Sequence, residues 1–368
     1  MEKHIIYFEE IVYLRAIAIL AVISIHISAI FTSMDQITLL TFLYISADVL
    51  SHLGVPLFVC ISGFVLYNKY QKSFSIVEFY RKRFKSVVPQ YTFFTIIVFL
   101  ITYTGYKIKG EIWNIDPLNI LYIYLTGGAA IAFWFFLLII QLYLLYPIVL
   151  RLFQKFARNN KINLLLGILF IIQIPFYIFD VRDIFLVGKI LLFIGYLFYF
   201  VLGMYARSIY YNQKRDDILR KSLYPLFIGL LLGTILGVMS YFIEYFDYGF
   251  SPQLDETIHS LFSAIVTPFY NILLFYLCLY LAFNLKLFSQ NIYARVLYRI
   301  GEYSFSIYLV HILVLLTFVP VALRIIKIDA YNWLYYPVSF ALVLGLSMVS
   351  VYIIKELPYS EYIIGSTK

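Results

Sequence analysis

The sequence predicts an all-α, polytopic integral membrane protein with about ten transmembrane helices and both termini in the cytoplasm. Three observations carry that reading. The 368 residues are 63% hydrophobic and 13% charged, whereas a soluble domain is about half apolar and about a quarter charged. The apolar residues come in continuous runs of helix-spanning length, not in the alternation of a strand barrel. Most Lys and Arg fall in alternate connections between those runs, the bias that marks a cytoplasmic side.

The first span is read at 11–31. The segment before it is as acidic as it is basic, Arg15 interrupts the apolar run, and no small-residue cleavage site follows, so an uncleaved span is expected and not a signal peptide. Further spans are read at roughly 43–67, 86–103, 131–152, 162–180, 184–206, 223–243, 259–283, 303–324 and 334–355. The stretch 118–128 is too short to cross and reads as re-entrant or interfacial. Pro56, Pro147, Pro175 and Pro268 fall within spans or at their ends and are expected to kink them. No internal repeat and no appended soluble domain are read, so residues 1–368 form one transmembrane domain.

The basic connections are 68–85, 151–161, 207–221 and 286–299. Acidic clusters at Asp180/Asp183 and Glu244/Asp247/Asp255/Glu256 then fall outside. The net charge of +8 is accounted for by this asymmetry, and no nucleic-acid partner is implied. Tyr and Phe dominate an aromatic content of 20%, which suits a chain with long interfaces to lipid headgroups. Cys60 and Cys278 lie in apolar runs and read as inert buried thiols. There is no disulfide framework and no metal-ligand spacing.

Two ionisable residues stand inside the first span. Arg15 and His26 are eleven steps apart; at about 100° per residue that is about three turns, so both point from one face, separated by about 16 Å along the axis. Ionisable groups inside a span are costly and are functional candidates. The bland alternative is that Arg15 snorkels to the interface and His26 is a satisfied polar group between helices.

"YLRAIAILAVISIHIS" (13–28), with this Arg-x10-His pattern, resembles the first span of the acyltransferase 3 family of membrane-bound acyltransferases. Four further stretches resemble the family in order: "GVPLFVCISGFVLY" (54–67), "FYRKRFKSVVPQY" (79–91), "FWFFLLIIQLYLLYPIV" (133–149) and "GEYSFSIYLVHILVL" (301–315). "EEIVYLRAIAIL" and "GYLFYFVLGMYAR" resemble most the biofilm-polysaccharide branch, the intercellular adhesion protein C type. The chain departs from the family at one point: members often carry Arg-x-x-Arg before the span-three proline, and here Arg83 is followed at the second position by Ser86, with Lys85 beside it.

The resemblance implies transfer of an acyl group, acetyl or succinyl, from cytoplasmic acyl-CoA to a hydroxyl of an extracytoplasmic envelope or biofilm polysaccharide. It implies a multi-pass protein of the bacterial cytoplasmic membrane that works beside polysaccharide synthesis machinery. Acyl-CoA is then a substrate, and no tightly bound cofactor is expected. Arg15, Arg81, Arg83 and Lys85 are candidates for the CoA phosphates, because guanidinium groups bind phosphate through charge-assisted, bidentate bonds. His26 is the candidate general base, its ordinary pKa lying near working pH. His311 is expected to supply an orienting hydrogen bond and Ser62 a supporting hydroxyl; Ser24 and Ser28 are further candidates for donors to a developing oxyanion. His52 is left in the core. Asp48 and His259 read as solvated helix ends, and Trp134 as an interface anchor or a substrate platform. The alternative reading is a polysaccharide exporter or flippase, which calls for polar residues along several spans lining a continuous path.

Overall fold

The computed structural model describes residues 8–31, 38–72, 74–111, 116–178, 189, 191–210, 227–235, 238–239 and 252–365, with the backbone alone at 177–178 and 252–266. Every regular element among them is an α-helix. In chain order these are α1 (Glu9–Ser28), α2 (Leu39–Ser51), α3 (Gly54–Tyr70), α4 (Ile76–Lys85), α5 (Val88–Ile108), α6 (Pro117–Thr126) and α7 (Trp134–Arg158). There follow α8 (Ile162–Ile178), α9 (Leu192–Ile209), α10 (Pro252–Leu287), α11 (Ile292–Glu302), α12 (Ser304–Ile325), α13 (Tyr335–Lys355) and α14 (Ser360–Ile364).

Among the described residues, eight helical stretches are long and apolar enough to cross a membrane: α1, α2 with α3, α4 with α5, α7, α9, the part of α10 from Thr267, α12 and α13. The sequence expectation was about ten. The span read at 162–180 is helical over its described part, α8, whose 17 residues reach about 25 Å at 1.5 Å per residue against a hydrocarbon core of about 30 Å; residues 179–180 lie outside the described ones. The span read at 223–243 lies largely outside the described residues, with helix at 227–235 and 238–239. Asp180, Asp183, Glu244, Asp247 and the side chains of Asp255, Glu256 and His259 also lie outside them.

Helix α1 stands at the centre, packed against α2, α3, α10, α11, α12 and α13. Its apolar residues go all round, as a helix buried on every side requires. Glu9 and Glu10 occupy its first turn, where carboxylates oppose the helix dipole favourably. Glu10 is buried and accepts from Lys286 of α10 at 2.9 Å and from Tyr210 at 3.0 Å, which ties three chain segments together at that end.

The long apolar stretch 39–70 is two helices. Pro56 is the reason: it lacks an N–H and its ring would clash with the carbonyl four residues back, that of His52. The chain turns at His52–Leu53, and Pro56 sits in the first turn of α3, where a missing N–H costs nothing. Pro147, Pro175 and Pro268 lie inside α7, α8 and α10. The α3–α9 crossing is set by two glycines. A Cβ on Gly63 would stand 1.9 Å from the Phe200 carbonyl oxygen, and one on Gly203 1.9 Å from that of Cys60. Small residues let backbones meet in lipid, where no hydrophobic force drives helices together.

The basic connections gather at one end of the bundle. Gln154 Nε2 donates to the Gln71 carbonyl at 2.9 Å, Arg207 Nε to Asn68 Oδ1 at 2.8 Å, and Lys286 reaches Glu10. The segment 118–128, expected as re-entrant or interfacial, is the ten-residue α6, capped by the left-handed Gly127 and held to α5 by Thr92 Oγ1 and Tyr124 Oη at 2.7 Å. Both cysteines are free and buried, as expected.

Candidate active site

Arg15 and His26 lie on the face of α1 turned toward α12. Arg15 lines a cavity of about 270 Å³ that Tyr308 of α12 also lines. The His26 ring meets that of His311, one turn along α12, with centroids 5.3 Å apart and planes 33° from parallel. The shared face inferred from spacing is therefore a face toward one neighbouring helix.

Arg83 reaches the same cavity from α4. This helix starts at Ser75, whose hydroxyl accepts from the Glu78 N–H, and it buries Phe79 alone among its side chains. Phe79 anchors the helix by stacking on Tyr146 of α7 at 5.2 Å. Arg83, four residues on, shares the Phe79 face. Its guanidinium lies over the rings of Tyr70 (5.5 Å), Tyr143 (5.8 Å) and Phe79 (5.9 Å), and Nη2 donates to the Tyr70 hydroxyl at 3.2 Å. Three rings from three helices hold the fork in place.

Arg81 and Lys85 do not join it. Each is two residues from Arg83, about 200° around the helix, and both are exposed. The Lys85 ammonium instead lies 5.0 Å over the ring of Tyr362 in α14. The sequence expectation of four cations at one mouth thus reduces to two, Arg15 and Arg83, because a helix face holds only positions three or four apart.

Ser62 lines the cavity and donates to the Phe58 carbonyl at 2.9 Å. Ser86, where the family often has arginine, lines it too and donates to the Arg83 carbonyl at 2.8 Å. Glu302 stands at the rim, paired with Arg299 at 3.0 Å. Away from the cations the wall turns aromatic. Phe58, Phe135 and Phe136 surround the Tyr308 ring at 6.2, 5.0 and 5.6 Å, and the Tyr308 hydroxyl donates to the Ala132 carbonyl at 2.5 Å.

The cavity stops at Tyr308, and His26 is not among its lining residues. Between them stands His311, fully buried, its ring 5.3 Å from Tyr308. His311 Nδ1–H donates to the Tyr308 carbonyl at 2.7 Å, which makes Nε2 the ring's acceptor, and that buried nitrogen has no hydrogen-bond partner. An orphaned acceptor in the core is costly and lies beside the half-buried His26.

Three features were not foreseen. Tyr308 is three residues before His311 in "SIYLVH", so its place on the same helix face was readable from spacing. The Tyr70–Tyr143 cage around Arg83 joins residues 73 positions apart by numbering and had no local signal. Asp48 and His52 were misjudged: Asp48 is buried at 2% exposure, whereas the His52 side chain is 41% exposed. Trp134 stands against Tyr196, ring centroids 5.7 Å apart. The described residues form a helical bundle with a cationic cavity leading toward a pair of imidazoles. No curated protein and no solved structure matches the chain. The acyltransferase domain model of the acyltransferase 3 family matches residues 8–352, and the chain belongs to that family of membrane acyltransferases.

Proposed function

We propose that the chain is an O-acyltransferase that moves an acetyl or succinyl group from cytoplasmic acyl-CoA to a hydroxyl of an envelope or biofilm polysaccharide. In this reading it sits in a bacterial cytoplasmic membrane, close in type to the intercellular adhesion protein C branch, with both termini and the basic connections inside and polysaccharide synthesis machinery as its neighbour. The observation that carries it is the cavity lined by Arg15, Arg83 and Ser62, whose inner end, Tyr308, touches the His311–His26 pair.

In this reading Arg15 and the caged Arg83 hold the phosphates of acyl-CoA. The thioester lies along the aromatic wall, where water is scarce. His26 takes the proton of the attacking hydroxyl; the oxygen bonds to the carbonyl carbon, the C–S bond breaks, and the sulfur takes that proton back from His26 so that CoA leaves as the thiol. His311 is the positioning residue: its unpartnered Nε2 stands beside the His26 ring and, once that ring turns its N–H toward it, sets which His26 nitrogen faces the acceptor. Because Tyr308 and His311 separate the cavity from His26, the Tyr308 ring must turn aside for the thioester to arrive. A cavity that closes at an aromatic wall favours a closed transfer site over the continuous polar path of an exporter.

The test is His26→Ala, with membrane insertion confirmed. Transfer of labelled acyl groups to isolated envelope glycan is expected to fall by about 10²–10⁴-fold, the usual contribution of a general base. Undiminished transfer would remove His26 from the mechanism.

A further inference from the structure

After α13 the chain turns back onto the bundle, and α14 packs against α5, α12 and α13. It is a little over one turn long, the five residues Ser360–Ile364. A helix this short satisfies almost none of its own carbonyls, since the last four of any helix have no intrahelical partner. The bundle supplies partners. Gln90 of α5, a buried residue, donates from Nε2 to the Glu361 carbonyl at 2.8 Å. Ser306 of α12 donates from Oγ to the Ile364 carbonyl at 2.8 Å, and the Ile364 side chain is itself buried. The Tyr362 ring takes the Lys85 ammonium of α4 over its face at 5.0 Å.

Those contacts bring α14 to the cavity of Arg15 and Arg83. Arg83, Ser86 and Val87 supply part of the lining from α4 and the turn after it, and Ser304, Phe305 and Tyr308 supply part from α12. Gly365, the residue that follows α14, lines the same cavity and is buried. Helix α4 packs on α5, and α5 on α12. Helix α14 crosses the second of those joints, gripping α5 through Gln90 and α12 through Ser306. Lys85, which the cavity leaves out, thereby ties the arginine-bearing helix to the same small element.

Gly365 is the position at which the wall is least tolerant. Its φ of 82° and ψ of 169° fall in a region open in practice to glycine alone. A Cβ there would stand 2.9 Å from two atoms of the Phe305 ring. Phe305 lines the cavity too, so a methyl group is accommodated only by moving the chain or turning that ring, and either changes the shape of the cavity. Arg83 cannot follow such a change, because its guanidinium is held by the Tyr70, Tyr143 and Phe79 rings. A ligand that reaches Arg83 must then fit the space that Gly365 and Phe305 leave.

We propose that α14 with Gly365 is a clasp that shapes the donor cavity: Gln90, Ser306 and Lys85 hold it down, and Gly365 sets the room beside Phe305 in which acyl-CoA lies. That the occupant is acyl-CoA rests on the function proposed above. Gly365 touches the donor; Gln90, Ser306 and Ile364 act through it as positioning residues. The clasp is a wall of the cavity, so loosening it weakens donor binding. The step at His26, on the far side of Tyr308 and His311, keeps its rate once the donor is bound.

The experiment titrates the purified full chain in detergent with acetyl-CoA by calorimetry, without acceptor, and records the thermal unfolding midpoint of each variant. Gly365→Ala is expected to raise the dissociation constant about tenfold or more. Gln90→Leu, which keeps the bulk but not the donor to Glu361, raises it about fivefold, the equivalent of one hydrogen bond. Leu357→Ala, exposed in the connection before α14, leaves it within about twofold. At saturating acetyl-CoA the first two variants reach the transfer rate of the unaltered chain, a split between KM and kcat that general loss of structure would not give. Should Gly365→Ala lower the unfolding midpoint, Gln90→Leu decides, because Gln90 lies outside the cavity. Unchanged affinity in Gln90→Leu and Gly365→Ala would overturn the clasp and leave the donor reading standing. Tighter binding would overturn it as well, by showing a lid that obstructs entry. Absence of acetyl-CoA binding by the unaltered chain would remove the donor reading, and the clasp's role with it.

Discussion

Arg83 shows what a single residue gains from its surroundings. Three rings and the Tyr70 hydroxyl fix its guanidinium, so little side-chain freedom remains to be lost on binding a phosphate. Lysine can keep the charge but not the flat stacking or the fork. Arg83→Lys is expected to raise KM for acyl-CoA about tenfold, equal to about 1.4 kcal/mol, while Arg81→Ala, on the exposed side of the same helix, stays within twofold. Steady-state kinetics in detergent or nanodiscs checks both. His311 gives a sharper case. If its Nε2 orients His26, His311→Phe lowers kcat at least tenfold and shifts the pH profile of kcat, and His311→Gln, which can still accept, recovers a large part; a merely structural role would leave the pH profile where it was.

The elements are set by a few backbone decisions. Pro56 divides one apolar stretch into α2 and α3 and so creates the break at which His52 turns outward. Gly63 and Gly203 allow α3 and α9 to cross with backbones touching. Gly63→Ala or Gly203→Ala inserts a methyl group at 1.9 Å from a carbonyl oxygen and is expected to cost at least about 1–3 kcal/mol, the range for overpacking. Gly105→Ala and Gly345→Ala, inside helices where nothing lies within 4 Å, are expected to leave the thermal unfolding midpoint in detergent unchanged or raised, alanine being the better helix former. Equal stability across all four variants would show that the crossing is looser than the contacts indicate.

For the whole molecule, the proposed orientation follows from the gathering of basic connections at one end. Asn159, after α7, belongs to that end, and Asn332, between α12 and α13, to the other; both are exposed. In intact cells, Asn332→Cys is expected to react with a membrane-impermeant maleimide and Asn159→Cys to react only after permeabilisation. Cys60 and Cys278 are buried and contribute little background. The opposite labelling pattern would invert the molecule and place the Arg15–Arg83 cavity where acyl-CoA is absent.

Periodicity and charge alone determined the helical membrane class, the common face of Arg15 and His26, and the basic connection at 68–85 that holds α4. These are local quantities: run length, angle per residue and the sign of each connection. The same local reasoning read about ten spans, of which eight are found among the described residues while the one at 223–243 lies largely outside them, and it grouped Arg81 and Lys85 with Arg83, which helix geometry turns to different faces. Only the packing decided that Arg83 is caged by Tyr70 and Tyr143, that Lys85 serves α14, that Tyr308 and His311 stand between the cavity and His26, and that Asp48 is buried while His52 is not. Each of those depends on which helix lies against which face, and that choice is made by contacts between residues far apart in the chain, such as Gly63 with Phe200.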